Sequence, residues 1–162
     1  MSVRTRVEDV KVLYVAKRLE GCLLMLLIAV AATSRKRYPK GTMSDGEAFK
    51  KFLHDEMKTV TGHALNFNLQ FRGKMKPLED VLYHFVRCEL THEGTLPKDF
   101  ILDDRTNFRV EVTETAVIFS EGLLQGLFRA VIQAHENKDE FADLLKSFPP
   151  IDRSEENTEP CQ

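Results

Sequence analysis

The run CLLMLLIAVAA, from Cys22 to Ala32, is the longest uninterrupted apolar stretch of the chain. Its eleven residues are too few to cross a bilayer, since a membrane helix needs about 20. A helix that is apolar on every side lies at the centre of a bundle, or between the core and a second subunit. A secretory signal is disfavoured because acidic residues precede the run, where a short positive leader belongs.

The residues around this run predict one long helix over 7–34, because Leu, Ala, Lys, Arg and Glu dominate there. A basic run follows, and Pro39 within it predicts the end of the helix. Its cations have two interpretations. In the favoured interpretation, they complement the helix dipole at a solvated helix end. In the other interpretation, they bind the backbone of an RNA. The cations concerned are Arg35, Lys36, Arg37 and Lys40.

Length and composition predict one domain, 1–148, followed by a disordered acidic tail, 149–162. The formal net charge is −2, so any contact with nucleic acid requires a local basic patch. Three scattered cysteines without a Cys-x-x-Cys pair predict a reduced cytoplasmic protein. We expect no metal and no cofactor, because the histidines lack metal-ligand spacing and no phosphate-cradling glycine loop is present.

Three further helices are predicted from their ends and their apolar stripes. Ser44 and Glu47 form a capping-box pattern before a stripe of Phe49, Phe52, Leu53 and Met57. Pro77 begins a third helix that ends near His92, with Gly94 as its C-terminal cap. Ser120 is expected to cap the last helix, whose stripe continues to Phe148 with a break near Asn137.

Alternating residues predict a small β region. Residues 65–71 alternate strictly, and 72–74 are expected to form a turn. Residues 108–112 and 116–119 predict a hairpin, and the 65–71 strand is expected to join it in a three-stranded sheet. The fold class is therefore mainly α: a four-helix, bundle-like fold with a small antiparallel β-sheet or hairpin insertion before the last helix.

The third helix carries the residues of greatest chemical interest, in the segment LYHFVRCELTHEG from Leu82 to Gly94. Arg87 and His92 are five positions apart, which places them about 140° apart on a helix. An arginine holds phosphate charge and a histidine moves protons near neutral pH. These are the residue types that a metal-free ribonuclease needs.

The pattern Tyr83-x-x-x-Arg87-x-x-x-x-His92-Glu93-Gly94 resembles the signature of HEPN domains, a superfamily of small helical bundles. Their motif is an arginine, four to six residues, then a histidine, near the C-terminal end of one helix. The resemblance implies a metal-independent endoribonuclease that works as a homodimer, with the motif residues in a cleft between subunits. Members occur in toxin–antitoxin, defence and RNA-processing systems, and others have lost catalysis.

The resemblance gives each motif residue a role. Arg87 would bind the scissile phosphate of an RNA substrate and stabilise its developing charge. His92 would transfer protons as the 2′-hydroxyl attacks phosphorus, leaving a 2′,3′-cyclic phosphate. Supporting roles are expected for Tyr83, His84, Glu89 and Glu93. Cys88 departs from the family, because a polar residue is common at that position and a thiol cannot replace its hydrogen bonds.

Three alternatives stay open at this stage. In the first alternative, the chain is an inactive HEPN-like module that binds a nucleotide, an RNA or a partner protein such as an antitoxin. In the second alternative, the chain is a structural dimer in which the motif is coincidental. No membrane association is expected in any of these cases. Considered singly, Arg87 is a surface residue that forms a salt bridge with Glu79 or Asp80, and His92 is an ordinary helix-end residue.

Overall fold

The computed structural model describes residues 2–63 and 65–145, and most of them lie in helices. The helical elements are α1 Val3–Val15, α2 Leu19–Arg37, α3 Asp45–Asp55, α4 Met57–Thr61, α5 Leu78–Asp80, a π-helix Val81–Arg87, α6 Cys88–His92, α7 Gly122–Gln133, a 3₁₀ turn His135–Asn137 and α8 Ala142–Leu145. The strands are β1 Asn68–Phe71, β2 Lys74–Pro77, β3 Phe100–Asp103, β4 Val110–Val112 and β5 Val117–Ser120. The predicted class, mainly α with small β insertions, is confirmed.

Helix α2 is the centre of the bundle, as its apolar run predicts. It contacts α1, α3 and α7. Six of its apolar side chains are fully buried: Cys22, Leu23, Leu26, Leu27, Ala29 and Val30. Because neighbours cover it on several sides, the helix needs no polar face over most of its length. None of the described helices is long and apolar enough to span a bilayer.

The single long helix predicted for 7–34 is wrong, because the chain reverses between α1 and α2. Lys17 adopts a left-handed conformation with φ of 54°. The Arg18 amide donates to the Leu13 carbonyl at 2.9 Å, and the Lys17 amide donates to Tyr14 at 3.0 Å. This is a Schellman C-terminus, in which glycine is the usual left-handed residue. Because a lysine occupies this position instead, the sequence does not indicate that the helix ends here.

Helix α3 begins as its sequence predicts. The Ser44 hydroxyl accepts from the Glu47 amide, and the Glu47 carboxylate accepts from the Ser44 amide at 2.8 Å. The predicted stripe of Phe49, Phe52, Leu53 and Met57 is buried, although Met57 already belongs to α4. The capping box fixes where α3 starts, and its stripe fixes which face points inward.

The predicted partnership of the 65–71 strand is wrong. Strand β1 pairs antiparallel with β2 and forms a separate two-stranded sheet. Arg72 and Gly73 connect the two strands with φ values of 51° and 72°. A two-residue loop with positive φ at both positions matches the twist of a hairpin and forces the next residues to pair. The predicted turn at 72–74 is therefore a tight hairpin turn followed by a strand that the alternation does not show.

The second sheet has the order β3-β5-β4. The predicted hairpin is present as antiparallel β4 and β5, whereas β3 joins β5 in parallel. Ser120 does not cap α7, whose N-cap residue is Glu121. The Ser120 hydroxyl instead donates to the Asn107 carbonyl at 2.6 Å and accepts from the Arg109 amide at 2.8 Å. These two bonds secure the loop before β4.

Helix α7 packs closely against α4, where a Cβ on Gly126 would lie 1.9 Å from the Val60 carbonyl oxygen. The predicted break near Asn137 is confirmed, since α7 ends at Gln133 and a 3₁₀ turn follows. Phe141 is buried after the break. The predicted tail, 149–162, and the end of the stripe at Phe148 lie outside the described residues.

Candidate functional site

Elements α5, the π-helix and α6 continue without interruption over 78–92 and are called the motif helix here. Pro77 precedes its first residue, and Gly94 follows its end with φ of 72°, as predicted. The π-helix ends at Arg87. Such widened turns cost hydrogen-bond geometry and are frequent at functional sites. Arg87 therefore lies where the regular helix has been altered.

Arg87 lines a small cavity of about 190 Å³ between the motif helix and the α2–α3 region. The other lining residues are Ala31, Arg35, Lys40, Asp45, Phe49 and Tyr83. This set, called the Arg87 pocket here, contains three cations and one carboxylate. A local excess of positive charge in a concave site attracts anions even though the whole chain is slightly acidic.

The Arg87 guanidinium lies against two aromatic rings and has no ion pair among the described residues. Its central carbon is 5.8 Å from the Phe49 ring centroid and 5.4 Å from that of Tyr83. Its Nε is buried and has no hydrogen-bond partner within the described chain. A buried unpaired donor costs about 1–3 kcal/mol. The cation is thus oriented by ring contacts while its hydrogen-bonding capacity stays unused.

The expected salt bridge between Arg87 and Glu79 or Asp80 is wrong. Glu79 accepts from the His54 ring at 3.1 Å, and Asp80 pairs with Lys50 at 3.1 Å. Both acidic residues are therefore engaged with α3, and neither compensates the charge of Arg87.

Two residues of the basic run reach the Arg87 pocket. Arg35 pairs with Asp45 and donates to the Tyr38 and Met43 carbonyls at 3.1 and 3.2 Å. These bonds hold the α2–α3 connection in place. Lys40 is exposed and makes no ion pair with any described residue. Lys40 and Arg87 are thus the two cations of the pocket whose charge is not already paired.

The other two cations of the basic run face a different part of the protein. Lys36 Nζ contacts the Glu140 carboxylate at 2.6 Å, and Arg37 contacts Glu136 at 2.9 Å. Arg37 also pairs with Glu56 at 2.7 Å. We call this set the α2 latch, because it joins the end of α2 to α3 and to the segment after α7. The predicted RNA contact of Lys36 and Arg37 stays a prediction.

Tyr83 connects the Arg87 pocket to the start of α3. Its ring is 5.3 Å from the Phe49 ring. It lies so close to Gly46 that a Cβ there would be 2.8 Å from the tyrosine Cζ. His84 places its ring edge-on to Tyr83 at 5.0 Å, and its own side chain is exposed. Gly46 is a site residue that the sequence analysis missed, although it lies within the recognised capping box.

His92 does not line the pocket of its own chain. It is exposed on the last turn of the motif helix, and its side chain contacts no described hydrogen-bonding partner. Because residues 88–92 are regular α-helix, the angular separation from Arg87 is about 140°. One chain therefore brings Arg87 together with Lys40 and Arg35, and it does not bring Arg87 together with His92.

The remaining motif residues are placed individually. The Cys88 thiol is half-buried and donates to the Tyr83 carbonyl at 3.3 Å, so it faces its own helix. Glu89 contacts Arg72 at 3.4 Å. Glu93 is exposed just after the helix. None of the three lines the Arg87 pocket. Across the described ranges, no group of three or more His, Cys, Asp or Glu residues could hold a metal ion.

Comparison with known proteins places the chain in one family. The family model described as Rv1289 matches residues 2–144, which span the motif helix and the Arg87 pocket. No curated protein and no solved structure matches the chain. Since the match covers well over half of the 162 residues, the chain belongs to the Rv1289 family.

Proposed function

We propose that this protein binds RNA and that the Arg87 pocket holds one phosphate group of the RNA backbone. The unpaired guanidinium of Arg87, beside Lys40 and Arg35, supports this proposal best. Arginine presents several N–H donors in a plane that matches phosphate oxygens, and no described carboxylate pairs with the Arg87 guanidinium in competition with a phosphate. In this proposal the protein acts as a HEPN-like RNA-binding module.

The size of the pocket favours part of a larger molecule. At about 190 Å³ it is smaller than the usual 300–1,000 Å³ of sites that enclose a whole small molecule. A single phosphate group fits this space, and the rest of its chain would continue over the surface. Exposed Lys40 lies at the pocket and is available to a neighbouring phosphate.

The second candidate function is metal-independent RNA cleavage, and the exposure of His92 favours it. Because His92 lies outside the pocket of its own chain, the reaction would need a homodimer that brings one subunit's histidine to the other's Arg87. His92 would take the proton of the ribose 2′-hydroxyl as that oxygen bonds to phosphorus. The P–O5′ bond breaks, the 5′ oxygen gains a proton, and a 2′,3′-cyclic phosphate remains.

A cytoplasmic location and a role in toxin–antitoxin, defence or RNA-processing systems are parts of the same proposal. They rest on the cysteine pattern and on the HEPN resemblance. Cys22 and Cys88 are both free thiols, which suits a reducing compartment.

One experiment tests both functions. Binding of labelled single-stranded RNA is measured by anisotropy with a chelator present, and the same samples are resolved on a denaturing gel. We expect Arg87→Met to weaken binding about tenfold, because it removes charged hydrogen bonds. Lys40→Gln should weaken it less and lower the salt dependence by about one phosphate contact. His92→Ala should leave binding unchanged and abolish cleavage.

Exposed cations elsewhere provide matched controls. Arg109→Gln and Lys58→Gln remove charges outside the pocket and should leave both measurements unchanged. Melting curves show whether each variant is folded. The absence of RNA binding by the folded parent protein at low salt would overturn the proposed function. Binding without cleavage would overturn only the second candidate.

A further inference from the structure

A second cavity, separate from the Arg87 pocket, lies between α1, α2 and α7. Its volume is about 340 Å³, within the usual size range of small-molecule sites. It shares no lining residue with the Arg87 pocket. The cavity is half-open to solvent, so a ligand can enter it from the surface.

The floor of this cavity is apolar. Val10, Cys22, Leu26 and Leu124 line it, and each is almost completely buried. Burial, together with the charge of Glu121, raises the pKa of the Cys22 thiol to about 11. The thiol is therefore neutral at physiological pH and behaves as a small hydrophobic group. A floor of this kind accepts an alkyl chain and excludes a charged group.

The rim of the cavity carries two cations, Lys11 and Arg129, and no acidic residue of the described ranges lines it. The Nε of Arg129 is buried and lacks a hydrogen-bond partner within the described chain. Lys11 is exposed and forms no ion pair with a described residue. The neighbouring acid, Glu121, is engaged elsewhere, since Tyr14 donates to it at 2.7 Å and Lys17 pairs with it at 3.2 Å.

We propose that this cavity binds a medium-chain alkyl carboxylate. The alkyl chain lies on the floor, and the carboxylate accepts hydrogen bonds from Arg129 and pairs with Lys11. An anion is favoured because no described carboxylate pairs with the two cations of the rim, and a guanidinium binds a carboxylate in a bidentate geometry. The volume accommodates about ten non-hydrogen atoms at about 30 Å³ each, which is the size of octanoate.

The test compares three probes of different chemistry by calorimetry on the full chain: octanoate, octan-1-ol and acetate. Octanoate should bind saturably, octan-1-ol should bind about tenfold more weakly, and acetate should not bind measurably. Arg129→Met should reduce the preference for octanoate over octan-1-ol severalfold, because only Lys11 then pairs with the carboxylate. It should also keep or raise the melting temperature, because it removes a buried donor that has no partner.

Arg109→Gln is the matched control, since Arg109 is exposed and does not line the cavity. This variant should bind octanoate like the parent. If folded parent protein fails to bind octanoate, the inference is overturned. The same holds if Arg129→Met keeps the full preference for the carboxylate, because the head group would then lie elsewhere.

Discussion

The basic run at the end of α2 faces two regions with opposite surroundings. In the α2 latch, Lys36 and Arg37 meet three carboxylates. In the Arg87 pocket, Lys40 and Arg87 lie with Arg35 beside a single carboxylate, Asp45, which already pairs with Arg35. Cations that are close together in sequence thus serve different purposes. Whether a cation is available to a ligand depends on which carboxylates the fold brings near it. The distance between residues in the sequence does not show this.

Asn137→Ala is the change with the largest expected effect, and it removes a buried residue that contacts Lys36 of the α2 latch. Asn137 is fully buried, donates to Thr33 at 2.9 Å and to Val131 at 2.8 Å, and accepts from Lys36 at 2.8 Å. Its loss removes these three hydrogen bonds, so the free energy of unfolding should fall by about 3 kcal/mol. Urea denaturation measures the change.

The nearby exposed residue Asp139 gives a control for this prediction. Asp139→Ala should change the free energy of unfolding by less than about 0.5 kcal/mol. RNA binding by folded Asn137→Ala should match the parent. A loss of binding equal to that of Arg87→Met would show that the latch and the pocket are not separate regions.

Gly46→Ala tests the comparison between the α2 latch and the Arg87 pocket by altering the pocket alone. The new Cβ would lie 2.8–2.9 Å from atoms of the Tyr83 ring, so the ring must move and Arg87 loses one of its two aromatic contacts. We expect RNA affinity to fall severalfold, with a stability change of about 1 kcal/mol or less. Anisotropy and urea denaturation give the two values.

Gly21→Ala is the matched control in α2. Its new Cβ would meet Leu13 at 3.5 Å, an ordinary contact, and a helical glycine replaced by alanine gains about 0.5–1 kcal/mol. Affinity should stay at the parent's value. If Gly46→Ala also binds RNA like the parent, Tyr83 does not position Arg87.

The smallest expected effect is the contribution of the α2 latch to the pH dependence of stability. Burial opposes ionisation of Glu136 and Glu140, yet hydrogen bonds from Arg37 and Lys36 hold the pKa of each carboxyl below its ordinary value of 4.5. Folded-state pKa values below the unfolded ones add stability that is fully present above about pH 4.5 and is lost as the pH falls further.

Melting temperatures from pH 7 to pH 3 measure this contribution. Arg4 lowers the pKa of Asp143, so this residue contributes to the pH dependence in the same direction. The informative quantity is therefore the difference in melting temperature between the parent and a variant carrying Glu136→Gln and Glu140→Gln. The variant should melt lower at pH 7 and approach the parent in acid. A constant difference over the whole range would exclude the latch carboxylates as its source.

The sequence by itself determined the features that depend on neighbouring residues. The capping box at Ser44, the limits of the motif helix at Pro77 and Gly94, and the hairpin of β4 and β5 all follow from local hydrogen bonds or from fixed periodicity. The apolar run of α2 likewise predicted a central position or one between the core and a second subunit, because a helix without a polar face needs neighbours on several sides.

Only the tertiary structure decided the features that depend on distant residues. Lys17 takes a left-handed conformation where α1 turns back onto α2, and a lysine gives no local sign of this. Strand β3 pairs in parallel with β5, 17 residues further along the chain, and no tight turn signals this pairing. Arg87 forms no ion pair with a described residue because α3 supplies His54 and Lys50 to the acids expected to pair with it. Pairing of charges is a competition among all groups that the fold brings into contact, so a sequence that shows only neighbours cannot decide it.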